Sequence, residues 1–287
     1  MIIRIIGLCM AATLSLFAQV NSDDLDKLKI DAMVVKELNS QNVLYTKEAQ
    51  KLVKPASLTK VITTLVAIEQ GDLDRAVTIT PEIVAVERTK AEYKVGDIIP
   101  LRDLIKAAMI ESDNDAAMAI AVGVGGSVEM FVAMMNAKAH EIGMDNTHFM
   151  NPCGFDHELH YSTAEDLLKM AEYAIKNPVF DEITKLNEHT YYSLNETPRK
   201  FVAKTHNRLL GKYEYAVGIK TGYTSKAGPC FIARAKRDGI DCIIVMMNSK
   251  ENRWATARQI FEQVLDVNSA EGIAVESSVS EPTQNPV

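Results

Sequence analysis

Cysteine is scarce in this chain, with four residues in 287. Beyond Cys9 near the N-terminus, only Cys153, Cys230 and Cys242 remain, and their spacing matches no zinc-binding pattern. Three widely separated cysteines exclude a disulfide framework as the organiser of the fold. Cys230 and Cys242 fall in predicted strands, which favours burial as small apolar side chains, while a pairing of two of the three in an exported protein stays open.

Positive charge is also in short supply. Lys and Arg number 31 against 38 Asp and Glu, for a formal net charge of −7. This balance argues against nucleic acid and against an anionic membrane surface as partners. Hydrophobic residues at 47% and charged residues at 24% are ordinary for a globular chain with an ample core. A local cationic site can still capture an anionic substrate.

Long apolar runs are absent except at the N-terminus. Arg4 precedes the mostly apolar residues 5–17, and Ala18 offers a small residue for cleavage before a polar stretch. This pattern predicts a signal peptide over residues 1–18 and export to the periplasm or the cell surface. An uncleaved anchor is the alternative, which the shortness of the run disfavours. Residues 268–287 lack Lys and Arg and are rich in Ser, Glu and Pro, which predicts a disordered acidic tail without a C-terminal membrane anchor.

The chain between these ends predicts one α/β (α+β) domain over residues 22–267. Apolar residues recur at helical spacing over 58–66 and 101–109. Thr80-Pro81-Glu82 is typical of a helix start, and so is Ser162-Thr163-Ala164-Glu165 with Glu165 as the capping acid. Strands are predicted over 30–36, 42–46, 216–221, 229–236 and 240–247. A closing helix is predicted over 251–267. Strands at both ends of the chain indicate a sheet that joins its N- and C-terminal segments.

Three short motifs follow one another along the chain: Ser57-Leu58-Thr59-Lys60, Ser112-Asp113-Asn114 and Lys220-Thr221-Gly222. Each alone is a weak signal, because a helix cap, an ordinary loop or a strand end explains it equally well. Acyl transfer needs a nucleophile, a base and an oxyanion site. Ser57 at a helix start is a candidate nucleophile, and Lys60 lies one helical turn later, within reach as its base.

The second and third motifs supply the remaining roles. Ser112 can relay a proton towards a leaving amine, and Asn114 can bind a substrate amide. Lys220 and Thr221, on a predicted edge strand, can bind a terminal carboxylate. Gly222 permits close approach of the backbone, and the N–H of Tyr223 would be the second oxyanion donor.

In this order, the three motifs resemble the signature set of the penicillin-binding serine enzymes. The chain is similar to the low-molecular-mass penicillin-binding proteins, specifically the serine-type D-alanyl-D-alanine carboxypeptidases, over about residues 28–267. Beyond the triplets, the resemblance rests on residues 55–61, 112–117, 151–167 and 218–228. Arg253 lies near a position where relatives carry an arginine that helps the carboxylate site.

This resemblance implies a penicillin-binding transpeptidase-like fold, with an antiparallel sheet flanked by helices and an all-helical lobe. It implies removal of the terminal D-alanine from peptidoglycan stem pentapeptides through an acyl-enzyme on Ser57, and acylation by β-lactam antibiotics. It implies no metal or organic cofactor, and we expect a monomer. Two departures are the missing β-rich second domain and His206-Asn207, where some relatives carry Arg-Asn; His206 reads as a surface or packing residue.

Three alternatives stay open. A D,D-endopeptidase that cuts peptidoglycan crosslinks would use the same residues. A class A β-lactamase shares the Ser112-Asp113-Asn114 motif but needs a glutamate that activates water, and Glu165 is better explained as a helix cap. A non-catalytic cell-wall scaffold would have no need of the complete set of motifs.

Overall fold

The computed structural model describes residues 20–87 and 89–265. The predicted signal peptide over 1–18 and the predicted acidic tail over 268–287 lie outside the described residues, as do the last two residues of the predicted domain.

A five-stranded antiparallel sheet forms the centre of the molecule. Its strand order is β2-β1-β9-β8-β7. The strands are β1 (Ile30–Glu37), β2 (Val43–Lys47), β7 (Ala216–Thr224), β8 (Gly228–Arg237) and β9 (Ile240–Ser249). The N-terminal hairpin therefore pairs with the C-terminal strands, as the sequence predicted, and β7 is an edge strand.

Helices and two small hairpins complete the fold. The hairpins pair β3 (Ala76–Thr78) with β4 (Ile98–Pro100) and β5 (Glu188–Tyr192) with β6 (Lys200–Lys204). The helices are α1 (Ser22–Asp26), α2 (Lys60–Gln70), α3 (Pro81–Val84), α4 (Leu101–Ile110), α5 (Asn114–Gly125), α6 (Val128–Ile142), α7 (Ala164–Ala174), α8 (Pro178–Thr184) and α9 (Arg253–Leu265). A 3₁₀ turn, Ala56–Thr59, leads into α2.

The sheet separates two hydrophobic cores, because successive side chains of a strand point to opposite faces. On β9, Ile243, Val245 and Met247 belong to the core shared with the helical lobe. Ile244 and Met246, between them, belong to the core covered by α9. Helices thus pack on both faces of the sheet, which confirms the predicted fold class.

One predicted helix start was wrong by one residue. The N-cap of α7 is Thr163, whose hydroxyl accepts a hydrogen bond from the backbone N–H of Asp166 at 3.0 Å. The prediction had Ser162 as the cap with Glu165 as its acid. Ser162 is still extended, because its backbone forms an antiparallel bridge with Val53, so the helix begins one residue later.

The three cysteines in the described part of the chain are buried free thiols. This fits the role of small apolar side chains. Within residues 20–87 and 89–265, no single helix is long and apolar enough to cross a membrane; α5 and α6 are long and apolar enough only when taken together, and the two helices meet at a bend of 87°.

Candidate active site

Ser57 lies in the 3₁₀ turn at the start of α2, facing the sheet edge. The turn is held from behind by His160, whose Nε2 lies 2.9 Å from the hydroxyl oxygen of Thr59. The Nδ1 of His160 accepts a hydrogen bond from the backbone N–H of Met150 at 3.1 Å, so we assign the ring proton to Nε2, which donates to Thr59. Burial lowers the pKa of His160 to about 3, which keeps the ring neutral.

Lys60 is fully buried, one helical turn after Ser57. Its Nζ lies 3.1 Å from Ser57 Oγ, 2.7 Å from Asn114 Oδ1 and 2.8 Å from the carbonyl oxygen of Cys153. Burial lowers the pKa of Lys60 to about 8, although nearby acidic groups oppose the shift. A lysine with this pKa carries a substantial neutral fraction near neutral pH, which a proton acceptor for Ser57 requires.

The second motif joins α4 to α5, and its Asn114 is the first residue of α5. Ser112 has a φ of 74°, an uncommon left-handed backbone conformation for serine. Its hydroxyl is buried and has no hydrogen-bond partner among the described residues. Asn114 is fixed on its other side, since its Nδ2 donates to the carbonyl of Glu87 at 3.0 Å. A buried hydroxyl without a partner beside a cleft suits contact with a bound substrate.

Two buried carboxyl groups flank Asn114. Asp115 Oδ1 accepts hydrogen bonds from the backbone N–H groups of Ala91 and Ala116, and Oδ2 accepts one from Tyr93, which ties the loop before β4 to α5. Asp113 Oδ1 has no partner among the described residues. Burial, reinforced by the neighbouring acids Asp115 and Glu111, raises the pKa of Asp113 to about 8.

The third motif lies on β7, which passes directly beside the Ser57 turn. A side chain at Gly222 would place its Cβ 3.2 Å from the backbone nitrogen of Ser57 and from the carbonyl of Pro55, so glycine allows this approach. Lys220 is 2% exposed and donates to the carbonyl of Thr221 at 3.3 Å. Burial, together with the positive charge of Lys60, lowers the pKa of Lys220 well below its usual value.

Arg253, at the start of α9, lines the same cleft and holds the same strand. Its Nη1 donates to the carbonyls of Gly222 at 2.9 Å and Cys230 at 2.8 Å, and its guanidinium lies 4.6 Å from the ring centre of Trp254. A guanidinium in this position places positive charge at the end of the strand that carries Thr221.

The motifs meet at an open cleft of about 920 Å³. Of the predicted site residues, seven line it: Ser57, Ser112, Asn114, Thr221, Gly222, Tyr223 and Arg253. Lys60 and Lys220 lie beneath its floor. The structure adds lining residues from loops that the motif search missed, among them Glu87, Thr89, Asp156, His206 and Arg208. Asn151-Pro152 and Gly154 predicted a loop at this point of the chain, but only the family resemblance pointed to a role for it at the site.

A serine beside a buried lysine, on the helical side of a cleft whose other wall is a sheet edge, is an arrangement typical of serine acyl-transfer enzymes. Residues 19–251 match the family described as Peptidase_S11, D-alanyl-D-alanine carboxypeptidase. The chain belongs to this family.

Individual relatives agree with this assignment. The chain is 34% identical over 232 residues to a D-alanyl-D-alanine carboxypeptidase of Bacillus subtilis, covering 78% of this chain and 59% of the relative. It is 34% identical over 216 residues to one of Mycobacterium tuberculosis, covering 75% of this chain and 73% of the relative. The crystal structure of the Streptomyces K15 DD-transpeptidase superposes with a TM-score of 0.79 at 30% identity, covering 83% of this chain and 97% of that chain.

Proposed function

We propose that this protein is an exported serine D,D-carboxypeptidase that removes the terminal D-alanine from peptidoglycan stem pentapeptides. The observation that carries the proposal is the contact between Lys60 Nζ and Ser57 Oγ at 3.1 Å, at the floor of a cleft walled by β7. Membership of the carboxypeptidase family supports the substrate.

In the first step, neutral Lys60 accepts the proton of Ser57 as the hydroxyl attacks the carbonyl carbon between the two D-alanines. The resulting oxyanion accepts hydrogen bonds from the backbone N–H groups of Ser57 and Tyr223. The closeness of Gly222 to the nitrogen of Ser57 brings β7 near enough for both groups to face one oxygen.

Collapse of the tetrahedral intermediate releases D-alanine, and the leaving nitrogen needs a proton. Ser112 lines the cleft near Asn114, which contacts Lys60, and its buried hydroxyl has no partner among the described residues, so we assign it the relay of this proton from Lys60. Water then hydrolyses the ester on Ser57, with Lys60 again accepting a proton. As the acyl carbon–Oγ bond breaks, protonated Lys60 returns this proton to Ser57 Oγ, which restores the serine hydroxyl and the neutral lysine.

The substrate carboxylate belongs at the opposite end of the cleft. Thr221 and Arg253 line the cleft, Arg253 supplies positive charge, and buried Lys220, whose pKa is lowered, contributes a hydrogen-bond donor. The side chain of Asn114 orients the substrate amide. A β-lactam, which offers an acyl carbon and a carboxylate at similar positions, acylates Ser57 in the same way.

A D,D-endopeptidase is the second candidate. Relatives named D-alanyl-D-alanine endopeptidase, from Pseudomonas aeruginosa and Escherichia coli, are 28% and 29% identical to this chain. The cleft is open to solvent along its length, which leaves room for a larger leaving group than D-alanine.

The test is incubation of the purified protein with a stem pentapeptide ending in D-Ala-D-Ala and, separately, with a crosslinked peptide dimer, with products read by mass. Loss of one alanine from the pentapeptide, absent in Ser57→Ala, supports the carboxypeptidase. Cleavage of the dimer alone moves the assignment to the endopeptidase. Turnover of penicillin with neither peptide cleaved contradicts both and returns the β-lactamase alternative.

A further inference from the structure

The tip of the β7–β8 hairpin is attached to the loop that lies under the nucleophile. Thr224 closes the hairpin turn, since its hydroxyl oxygen accepts a hydrogen bond from the backbone N–H of Ala227 at 3.0 Å. The same hydroxyl donates to Asp156 Oδ1 at 2.7 Å. The second carboxylate oxygen, Oδ2, accepts a longer hydrogen bond from the N–H of Lys226 at 3.4 Å. One carboxylate thus holds two points of the hairpin tip.

Asp156 can hold the hairpin because its own loop is tightly built. The side chain of Asn151 accepts hydrogen bonds from the N–H groups of Cys153, Gly154 and Phe155, at 3.2, 2.8 and 2.9 Å. Asn151 also donates to the carbonyl of Phe155 at 3.1 Å. The polar backbone of the segment just before Asp156 is therefore bound within the loop, which gives the carboxylate a fixed position.

The same loop touches both parts of the nucleophile machinery. The carbonyl of Cys153 accepts a hydrogen bond from Lys60. Gly154 packs so closely against the carbonyl of Ala56 that a Cβ at this position would overlap it. Lys54, which precedes the turn, donates to the carbonyls of His157 and Glu158 at 2.7 and 2.8 Å. The loop therefore contacts the Ser57 turn on one side and the tip of β7 on the other.

We propose that Asp156 is a positioning residue, which through Thr224 sets the distance between the Ser57 turn and the end of β7 that carries Tyr223. Within the described residues β7 is paired with β8 alone, and Arg253 holds it at the carbonyl of Gly222, so the Asp156 contact ties the tip of the strand beyond Gly222 to the loop under the nucleophile. The proposal rests on the proposed function, since it names the residue that fixes the two oxyanion donors relative to each other.

The size of the effect follows from geometry. Acyl transfer is sensitive to displacement of the donors by about 1 Å, which can cost about 100-fold in rate. Removing one side-chain hydrogen bond at a half-buried tip lowers the free energy of unfolding only modestly. Loss of the contact should therefore lower the acylation rate strongly while the free energy of unfolding changes little.

Thr224→Val is the central variant, because valine keeps the branched shape and removes the hydroxyl. Thr224→Ser is its matched control, since it keeps the hydroxyl, and Lys226→Ala is a second control on the same turn. Asp156→Asn weakens the contact from the other side. Saturation kinetics with a fluorescent penicillin separate the dissociation constant of the first complex from the acylation rate constant, and a thermal unfolding scan reports on folding.

We expect Thr224→Val to lower the acylation rate constant by about 10- to 100-fold, and Asp156→Asn, whose amide oxygen can still accept the hydrogen bond, to lower it by a smaller factor. The dissociation constant should change by less than about threefold, and Thr224→Ser and Lys226→Ala should stay within about twofold of the wild type. The double variant should be no slower than Thr224→Val alone, because this change already removes the contact that Asp156→Asn weakens.

Unchanged acylation in Thr224→Val, equal losses in Thr224→Val and Thr224→Ser, or additive losses in the double variant would each overturn the proposal. The outcome is independent of the substrate assignment, because release of D-alanine by the wild type is measured separately. If the wild type is acylated but releases no D-alanine, the proposed carboxypeptidase activity is contradicted. The acylation data of the variants still decide the role of Asp156.

Discussion

Raising the pH from 6 to 9 should switch on acylation of Ser57, with the midpoint set by Lys60. The pKa of this lysine is about 8 instead of 10.5. At pH 7 its neutral fraction is then about one tenth, against about 0.03% for an ordinary lysine, a gain of about 300-fold in the active form. Since the base works only when neutral, the acylation rate should rise about tenfold from pH 6 to 7 and level off above pH 8.

Asp113 gives this prediction a second arm. The ionised forms of Asp113 and Asp115 both favour protonated Lys60. Glu111 and Lys220 are the other charged groups that act on Asp113. Asp113→Asn keeps the shape and removes the charge. Because the pKa of Asp113 is itself about 8, this carboxyl is about half ionised at the midpoint, so the pKa of Lys60 should fall modestly and the midpoint of the acylation profile should move slightly to lower pH.

The assay is the second-order rate constant for labelling by a fluorescent penicillin, measured from pH 5.5 to 9.5 at constant ionic strength. Far-ultraviolet circular dichroism over the same range controls for unfolding, and Ser57→Ala provides the unlabelled baseline. A midpoint near pH 10 in the wild type would refute the argument that burial produces a neutral lysine. A midpoint that moves upward in Asp113→Asn would refute the assigned direction of the coupling.

Three further predictions concern the site and its support. Gly222→Ala should slow acylation by about 10-fold or more with little change in the unfolding temperature, because its Cβ would press on the Ser57 turn at 3.2 Å; wild-type rates would contradict this. The pKa of His160 falls from 6.5 in the unfolded chain to about 3 in the folded protein, so folding stability should decrease by about 1.4 kcal/mol per pH unit as the pH drops below 6.5. Urea unfolding from pH 7 to 4 should show this slope in the wild type and a smaller one in His160→Gln, and equal slopes would count against it. Burial raises the pKa of the thiols of Cys153 and Cys230 to about 12 and 11, so iodoacetamide at pH 8 should label them only after denaturation, and rapid labelling of the native protein would show that they are accessible.

Much of the architecture could be predicted because its signals are local. Apolar spacing located α2 and α4, and the N-terminal hairpin and the last three strands followed from alternation and turns. The cap of α7 was displaced by one residue because a tertiary contact, the bridge between Val53 and Ser162, keeps the chain extended. No local pattern reports such a bridge.

The candidate site divides in the same way. Residue types and order identified Ser57 and Lys60, and helical geometry predicted their contact. The burial of Lys220 beneath the cleft could not be read from the motif, because it depends on how β7 packs against the helical lobe. Glu87 and Asp156 reach the cleft through loops whose positions are set by hydrogen bonds to Asn114 and Thr224, distant in the chain.

The most direct test of the account is to locate the acyl group. The purified protein is treated briefly with a penicillin, quenched in acid and digested, and the modified peptide is sequenced by mass spectrometry. The account predicts one adduct, on Ser57, that is absent from Ser57→Ala and forms far more slowly in Lys60→Met. An adduct on another residue, or labelling that persists without Ser57, would contradict it.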